Sequence, residues 1–364
     1  MQSTPRRLGL RHLSNRIGFV AGILTVVSSA HAHTYCADSA ASLQAALTAA
    51  SDNGPNDNED NTIQIVTGTY NTADIGSSVF FSYSNQTTAR KLDINGGYNN
   101  GCSAIIKNPE LTILDGGGTT HLFESESIGD VSVRYLTFQN GRTANTDSYG
   151  PVEINTMSTS NGPVIFDQNI VRNNRAGFCD GGFTIFVSPT STLQFENNLI
   201  VGNAAISCDG AGLIYDEGGA ANIINNTFAQ NSVAYMPTSA TGGLEFYVSI
   251  AASPPLDTMS NNIFWANSGY DLETTAVLVN NEFSSNQDMM DPTSTGNFTA
   301  DPQFSSSSDF HLLPTSPLLG QGTLTPTGGL PTIDIEGHPR SYNGHVDMGA
   351  YERGDEIFKD GYEG

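Results

Sequence analysis

Five segments of this chain repeat one pattern, and the pattern restricts the fold more than any other feature of the 364 residues. They read VIFDQNIVRNN, LQFENNLIVGN, NIINNTFAQN, TMSNNIFWAN and VLVNNEFSSN, each centred on an Asn: Asn169, Asn198, Asn226, Asn262 and Asn281. Three residues earlier stand Phe166, Phe195, Ile223, Met259 and Leu278; two residues later stand Val171, Ile200, Phe228, Phe264 and Phe283. Five residues after the central Asn comes a second one: Asn174, Asn203, Asn231, Asn267 and Asn286. The two apolar columns are an odd number of residues apart, so in one straight strand they would face opposite sides. Both reach a core only if the chain bends between them. The central Asn is expected to supply that bend, because Asn enters the left-handed region more cheaply than most residues. Stacked Asn amides can then hydrogen-bond from coil to coil. The expected fold is all-β, a single-stranded right-handed parallel β-helix with one strand–turn–strand unit per coil. An earlier copy, VSVRYLTFQNG at 131–141, fits with one residue fewer.

The central Asn residues follow one another at intervals of 29, 28, 36 and 19. A coil of a parallel β-helix takes about two dozen residues or more, so the first two intervals are ordinary coils. The third contains an insertion near Ala251–Pro255 that should loop outward, and the fourth suggests a tapering end. A propeller needs four strands per repeat and a leucine-rich repeat needs a Leu skeleton; neither is present. A second column, Gly182, Gly212 and Gly243, each followed by alternating apolar residues, supports the same register.

The ends differ in kind. Residues 39–51 carry Leu43, Ala46 and Leu47 at helical spacing behind a Ser/Asp cap, which predicts a helix covering the first rung. Cap helix and linker are assigned to 33–60, the β-helix to 61–310, a distinct C-terminal segment to 311–352 and a tail to 353–364. Residues 1–32 read as a signal peptide: Arg6, Arg7, Arg11 and Arg16 precede an apolar Ile17–Ser29, and Ala30-His31-Ala32 forms a small-x-small cleavage site. That apolar run is too short to span a membrane, so the mature chain is expected to be secreted or cell-surface, with a periplasmic location as the variant, and to carry no transmembrane segment.

Removing residues 1–32 takes away four Arg and no acid, moving the net charge from −23 to −27. Such a chain repels nucleic acid and polyanionic sugars unless Ca²⁺ bridges them, and is expected to be monomeric. Four cysteines in an exported chain imply disulfides. Cys179 and Cys208 are 29 residues apart, the same step as Asn169 to Asn198, so they should lie on adjacent coils about 4.8 Å apart, within reach of a bridge. Cys36 and Cys102 remain to pair.

Three stretches resemble a known group. Leu92-Asp-Ile-Asn-Gly-Gly-Tyr98 with Cys102, and Leu111-Thr-Ile-Leu-Asp-Gly-Gly-Gly118, are similar to the N-terminal coils of right-handed β-helix surface proteins. Asp309–Pro317, Asp334-Ile-Glu-Gly-His-Pro-Arg340 and Val346-Asp-Met-Gly-Ala-Tyr-Glu352 resemble the C-terminal part of the choice-of-anchor Q family. Here Gly320 stands where that family's Ser-Pro-Ala-Ile-Asp-Ala-Gly motif has Asp. Ile357–Glu363 is similar to a short tail of exported proteins from Xanthomonas-like bacteria. The resemblance implies a secreted or surface-exposed protein and no established activity.

Site chemistry is sparse. A polygalacturonase-like site needs four motifs, and only Asn145-Thr146-Asp147 occurs. A pectate-lyase-like site needs a Ca²⁺-binding Asp cluster beside an Arg; Arg142, Arg172 and Arg175 lack a matching acidic cluster. His33, His121, His311, His338 and His345 are scattered, and the cysteines suit disulfides better than metal. Asp180 and Asp209 follow the stacked cysteines and should themselves stack, with Asp216 and Glu217 further along the second coil. Two carboxylates at that spacing could serve a retaining glycosidase or share a Ca²⁺ ion, although Asp before Gly is a common turn residue. Tyr215, Phe246 and Tyr247 could stack on sugar rings, but alternation must turn some of them into the core. The reading is a non-catalytic adhesion or carbohydrate-contact protein without a cofactor; a polysaccharide lyase or glycoside hydrolase using Asp180 and Asp209 is the alternative.

Overall fold

The computed structural model describes residues 32–76, 79–156, 160, 162–235, 240–249, 257–283, 287–288 and 294–354. Nearly all of the signal peptide, the 251–255 insertion, Asn286 and most of the C-terminal tail lie outside the described residues. Among the described residues the chain winds through three long parallel sheets of nine, eight and eight strands, plus a two-stranded one. Each coil visits them in the same order. Pro163–Asp167 lies in the first sheet, Ile170–Arg172 in the second and Phe183–Val187 in the third. This is a parallel β-helix, in the right-handed sense that parallel crossovers adopt.

The apolar columns stack as the repeat requires. Phe166, Phe195, Ile223, Met259 and Leu278 are register partners along the first sheet. Val171, Ile200, Phe228, Phe264 and Phe283 are partners along the second. All ten are at most 1% exposed. Asn198 Nδ2 donates to Asn226 Oδ1 at 3.0 Å and to the Phe166 carbonyl at 2.8 Å, and the same bonds recur up to Asn281 and on to Asn297. A second ladder runs through Asn174, Asn203, Asn231 and Asn267.

The bend sits one residue earlier than expected. Positive φ falls on Gln168, Asn197, Asn225, Asn261 and Asn280, between 52° and 60°, and not on the ladder Asn that follows each. A ladder Asn must point its amide inward, so its predecessor takes the left-handed turn. Two alignments also shift. Segment 131–141 is complete rather than one residue short: Tyr135 takes the left-handed position, Leu136 stands at the ladder position and Asn140 matches Asn173. Gly212 stands opposite Phe183, so the aligned column is Gly182, Ala211 and Gly243.

Ala40–Ala50 forms the cap helix. Ser39 caps it reciprocally with Ser42, and Leu43, Ala46, Leu47 and Ala50 are buried over the first coil. Cys36–Cys102 joins the first strand to the loop after Leu92–Tyr98 with a Cα separation of 5.8 Å, and Cys179–Cys208 joins adjacent coils at 4.9 Å.

The described strands end at Gln287–Asp288, and 299–354 holds none. Part of this segment folds back over the outer face of the second sheet, where Phe310, Leu312, Leu318, Ile335, Met348 and Ala350 bury Ile170, Leu199 and Ile263. The left-handed residues hold it down. Gln168 Nε2 donates to the Asp334 carbonyl, Asn225 Nδ2 to that of Asp347, Asn261 Nδ2 to that of Thr323 and Asn280 Nδ2 to that of Gln321. Arg340, fully buried, bonds to Asn197 and to the Gly349 and Ala350 carbonyls.

Candidate functional site: the outer face of the third sheet

Alternation along the third sheet sends Phe123, Val152, Phe183, Leu244 and Leu272 inward, with Gly212 in the same register. The residue after each points outward, which builds a row in register across coils: Glu124, Glu153, Thr184, Leu213, Glu245 and Glu273. Asp180 and Asp209 lie on the turns entering Phe183–Val187 and Gly212–Asp216, held on adjacent coils by the Cys179–Cys208 bridge. Their carboxyls turn into this row. Thr184 Oγ1 accepts from the Gly150 N–H at 2.8 Å and donates to Asp180 Oδ2 at 2.6 Å.

Burial, with Glu245 and Glu153 nearby, pushes Asp180 up to about 7, although its Thr184 hydrogen bond works the other way. Burial pushes Glu153 up to about 7 as well, helped by Glu124, Asp147 and Glu126. Asp209 is held well above the usual carboxylate range by burial and then by Glu245, with which it shares a hydrogen bond. Two carboxyls in such contact hold a proton between them. At neutral pH the buried members Asp180 and Glu153 are therefore only partly ionised.

Asp216 stays out of the row. It is 0% exposed, and its Oδ1 accepts from Gly218 and Gly219 N–H at 2.8 and 2.6 Å, closing the turn after its strand. Glu217 lies in that same turn.

Two positions along, the outer face carries Phe186, Tyr215 and Tyr247 in register. Their ring centroids are 5.8 and 5.1 Å apart, and Tyr149 meets Phe186 edge-on at 5.4 Å. Phe246 points inward and is 0% exposed, whereas Tyr247 is 48% exposed. Tyr215 and Tyr247 stack with 24° between their planes, whereas Phe186 tilts 52° from Tyr215. Tyr247 is different: the following strand, Leu272–Thr274, ends in register with Phe246 and does not continue over it. At the N-terminal end of the face, a cleft of about 1060 Å³ opens between the cap helix and Phe81–Asn85, lined by Gln44, Asp52, Phe80, Ser82, Ser84 and Glu124 among others.

Of the other candidates, Asp147 stays near this face, close enough to Glu124 and Glu153 to raise both. Asn145-Thr146-Asp147 belongs to a turn, with the Asp147 N–H on the Ala144 carbonyl. Arg172 is bound by Glu110 at 2.7 Å, while Arg142 and Arg175 line a cleft of about 410 Å³ with Gly117, Gly118, Asn140 and Asn173. Among the described residues, no three carboxylate or imidazole donors gather at Asp180 and Asp209. The group that does gather is Asp334, Glu336 and His338, in the C-terminal segment. The scattered histidines of the sequence thus include two, His311 and His338, that the fold brings to one carboxylate, Glu336. The acidic row itself was hidden in the sequence, because the Gly column aligned one residue out of step misassigns which side chains are neighbours. No family model matches this chain, and neither does any curated protein or solved structure.

Proposed function

We propose that this is an exported, non-catalytic β-helix protein that contacts polysaccharide along the outer face of the third sheet. The observation that carries the reading is the parallel placement of two rows on that face. One is aromatic and ends on the open ring of Tyr247; the other carries the half-buried carboxyls Glu124, Glu245 and Glu273, with Thr184 and Leu213 between them. Sugar binding uses this combination, an apolar ring face with polar groups that fix hydroxyls. Successive side chains along each row are one strand spacing apart, about 4.8 Å, close to the length of one extended pyranose residue. The negative row disfavours polyanions, so the ligand class is a neutral or amino-bearing polysaccharide. Two disulfides suit an oxidising compartment, and among the described residues no helix is long and apolar enough to cross a membrane. The C-terminal motifs that resemble the choice-of-anchor Q family support a surface or secreted setting.

The catalytic alternative has one point in its favour: a carboxyl near pH 7, as at Asp180, suits a general acid. Burial weighs against it. Asp180 and Asp209 are each 2% exposed, which leaves no room for a glycosidic oxygen to reach them. The test is a screen of the purified mature chain against neutral, amino and uronic polysaccharides, scoring retention and new reducing ends together. Retention of neutral or amino polymers without cleavage is expected. Turnover of any glycan, or retention of none, overturns the proposal.

A further inference from the structure

A second site lies where the chain leaves the second sheet, independent of the glycan-contact reading. Arg142 and Arg175 are register partners there, joined by a parallel bridge, and the following coils continue the column with Ala204 and Ser232. The two arginine backbones are therefore one strand spacing apart, about 4.8 Å.

Like charges set directly opposite on neighbouring strands destabilise the pair unless a counter-charge joins them. Elsewhere in this acidic chain the cations have one. Lys91, Arg134, Arg172 and Arg340 each sit against a carboxylate. Arg142 and Arg175 are exposed, and among the described residues neither guanidinium has an ion pair or a hydrogen bond. The acid beside the Gly117-Gly118 turn, Asp115, is already engaged. Its Oδ1 accepts from the Gly117 N–H at 2.8 Å, and its Oδ2 from Gln139 Nε2 and Asn140 Nδ2 at 2.7 and 3.0 Å.

The two arginines line a cleft of about 410 Å³. Gly117 and Gly118 line it too, at φ +60° and +73°, and a Cβ at either would meet nothing within 4 Å. Asn173 completes the lining with a side-chain amide that has no hydrogen-bond partner among the described residues. The cleft thus gathers two guanidinium groups and an amide, donors that lack acceptors, beside a wall that no side chain closes.

We propose that Arg142 and Arg175, with Asn173, bind one phosphate group, free or as the monoester of a sugar. Their two positive charges match the nearly two negative charges that such a group carries near neutral pH. Its terminal oxygens do not share one plane, so it can accept from both guanidinium groups at once. A carboxylate has two oxygens in one plane and is satisfied by a single bidentate Arg. At physiological salt, repulsion from the rest of the acidic chain is screened beyond about 8 Å, so the arginine pair governs at contact range.

The test is equilibrium dialysis of the mature chain at fixed ionic strength with radiolabelled inorganic phosphate and, separately, with glucose 6-phosphate. One phosphate group bound per chain is expected. Tighter binding of inorganic phosphate identifies the free ion as the ligand, and tighter binding of glucose 6-phosphate the monoester. Arg142→Gln and Arg175→Gln should each weaken binding by about tenfold or more. Arg90→Gln, which removes the same charge from a residue outside the cleft, should leave it within about twofold. Absence of saturable binding of both probes overturns the proposal. So does an equal loss in Arg90→Gln, which would trace binding to net charge, or displacement of phosphate by an equal concentration of acetate.

Discussion

Each doublet at the first turn divides two tasks between neighbours. The first residue takes the left-handed conformation and reaches outward to the C-terminal segment; the second turns inward to the ladder. The sequence reading located the doublets but assigned the bend to the wrong member, because four of the five doublets are Asn-Asn and identity alone cannot separate the roles. Gln168-Asn169 is the doublet that distinguishes them: Gln suffices at the turn, whereas the ladder position keeps Asn. The two positions should respond differently to substitution. Asn226, 0% exposed, accepts from Asn198 at Oδ1, and its Nδ2 donates to the Phe195 carbonyl and to Asn262. Asn226→Ala orphans several buried partners and should cost about 3 kcal/mol in denaturant unfolding. Asn225→Gly keeps the left-handed turn and loses the bonds to the Asp347 and Gly349 carbonyls and the one that its Oδ1 accepts from Asn261 Nδ2. It should cost about 1 kcal/mol and mainly speed proteolysis of the C-terminal segment.

Among the elements, the first and second sheets were legible because their residues repeat at fixed distance from an unmistakable Asn. The third sheet was less so. The turns entering it vary in length, so an alignment by glycine slips by one, and a slip of one exchanges the inner and outer faces. Gly182 and Gly212 show this, and Tyr215 gained its outward row only once its partners Phe186 and Tyr247 were known. The cysteine step was read correctly because it borrows its register from the Asn repeat. Adjacent aromatics on one strand now test the assignment. Phe246→Ala opens a cavity in the core and should cost about 3–5 kcal/mol, whereas Tyr247→Ala should cost under about 1 kcal/mol in the same unfolding experiment. The C-terminal cover carries no strand periodicity, so its place over Ile170, Leu199 and Ile263 could not be read from pattern.

Taken whole, the molecule is acidic inside as well as out. Burial is the first cause in each of a series of raised carboxyls: Asp180, Glu153 and Asp257 to about 7, and Glu196 and Glu352 to about 8. A group whose folded-state pKa is raised stabilises the fold fully below its unfolded value, near 4, and that contribution disappears as pH rises through the folded value. Thermal stability should therefore decline between about pH 4 and pH 8, the melting temperature falling by about 5 °C or more. Asp257→Asn should flatten the curve. A melting temperature that rises over this window would show that these carboxyls are ionised in the folded protein. The acidity was evident in the sequence from a net charge of −23, but which acids are buried depends on the coil register.

We propose that the outer face of the third sheet holds a glycan without cleaving it. The most direct measurement is the affinity of the mature chain for a retained polysaccharide, compared with Tyr247→Ala and with the Asp180→Asn, Asp209→Asn pair, while reducing ends are counted. About a tenfold loss of affinity is expected in Tyr247→Ala, matching one lost ring contact. Binding within about threefold of the parent is expected in the paired Asn variant, whose buried carboxyls a sugar does not reach, with no new reducing ends in any sample. Glycan cleavage that disappears in the Asp180→Asn, Asp209→Asn variant would contradict it.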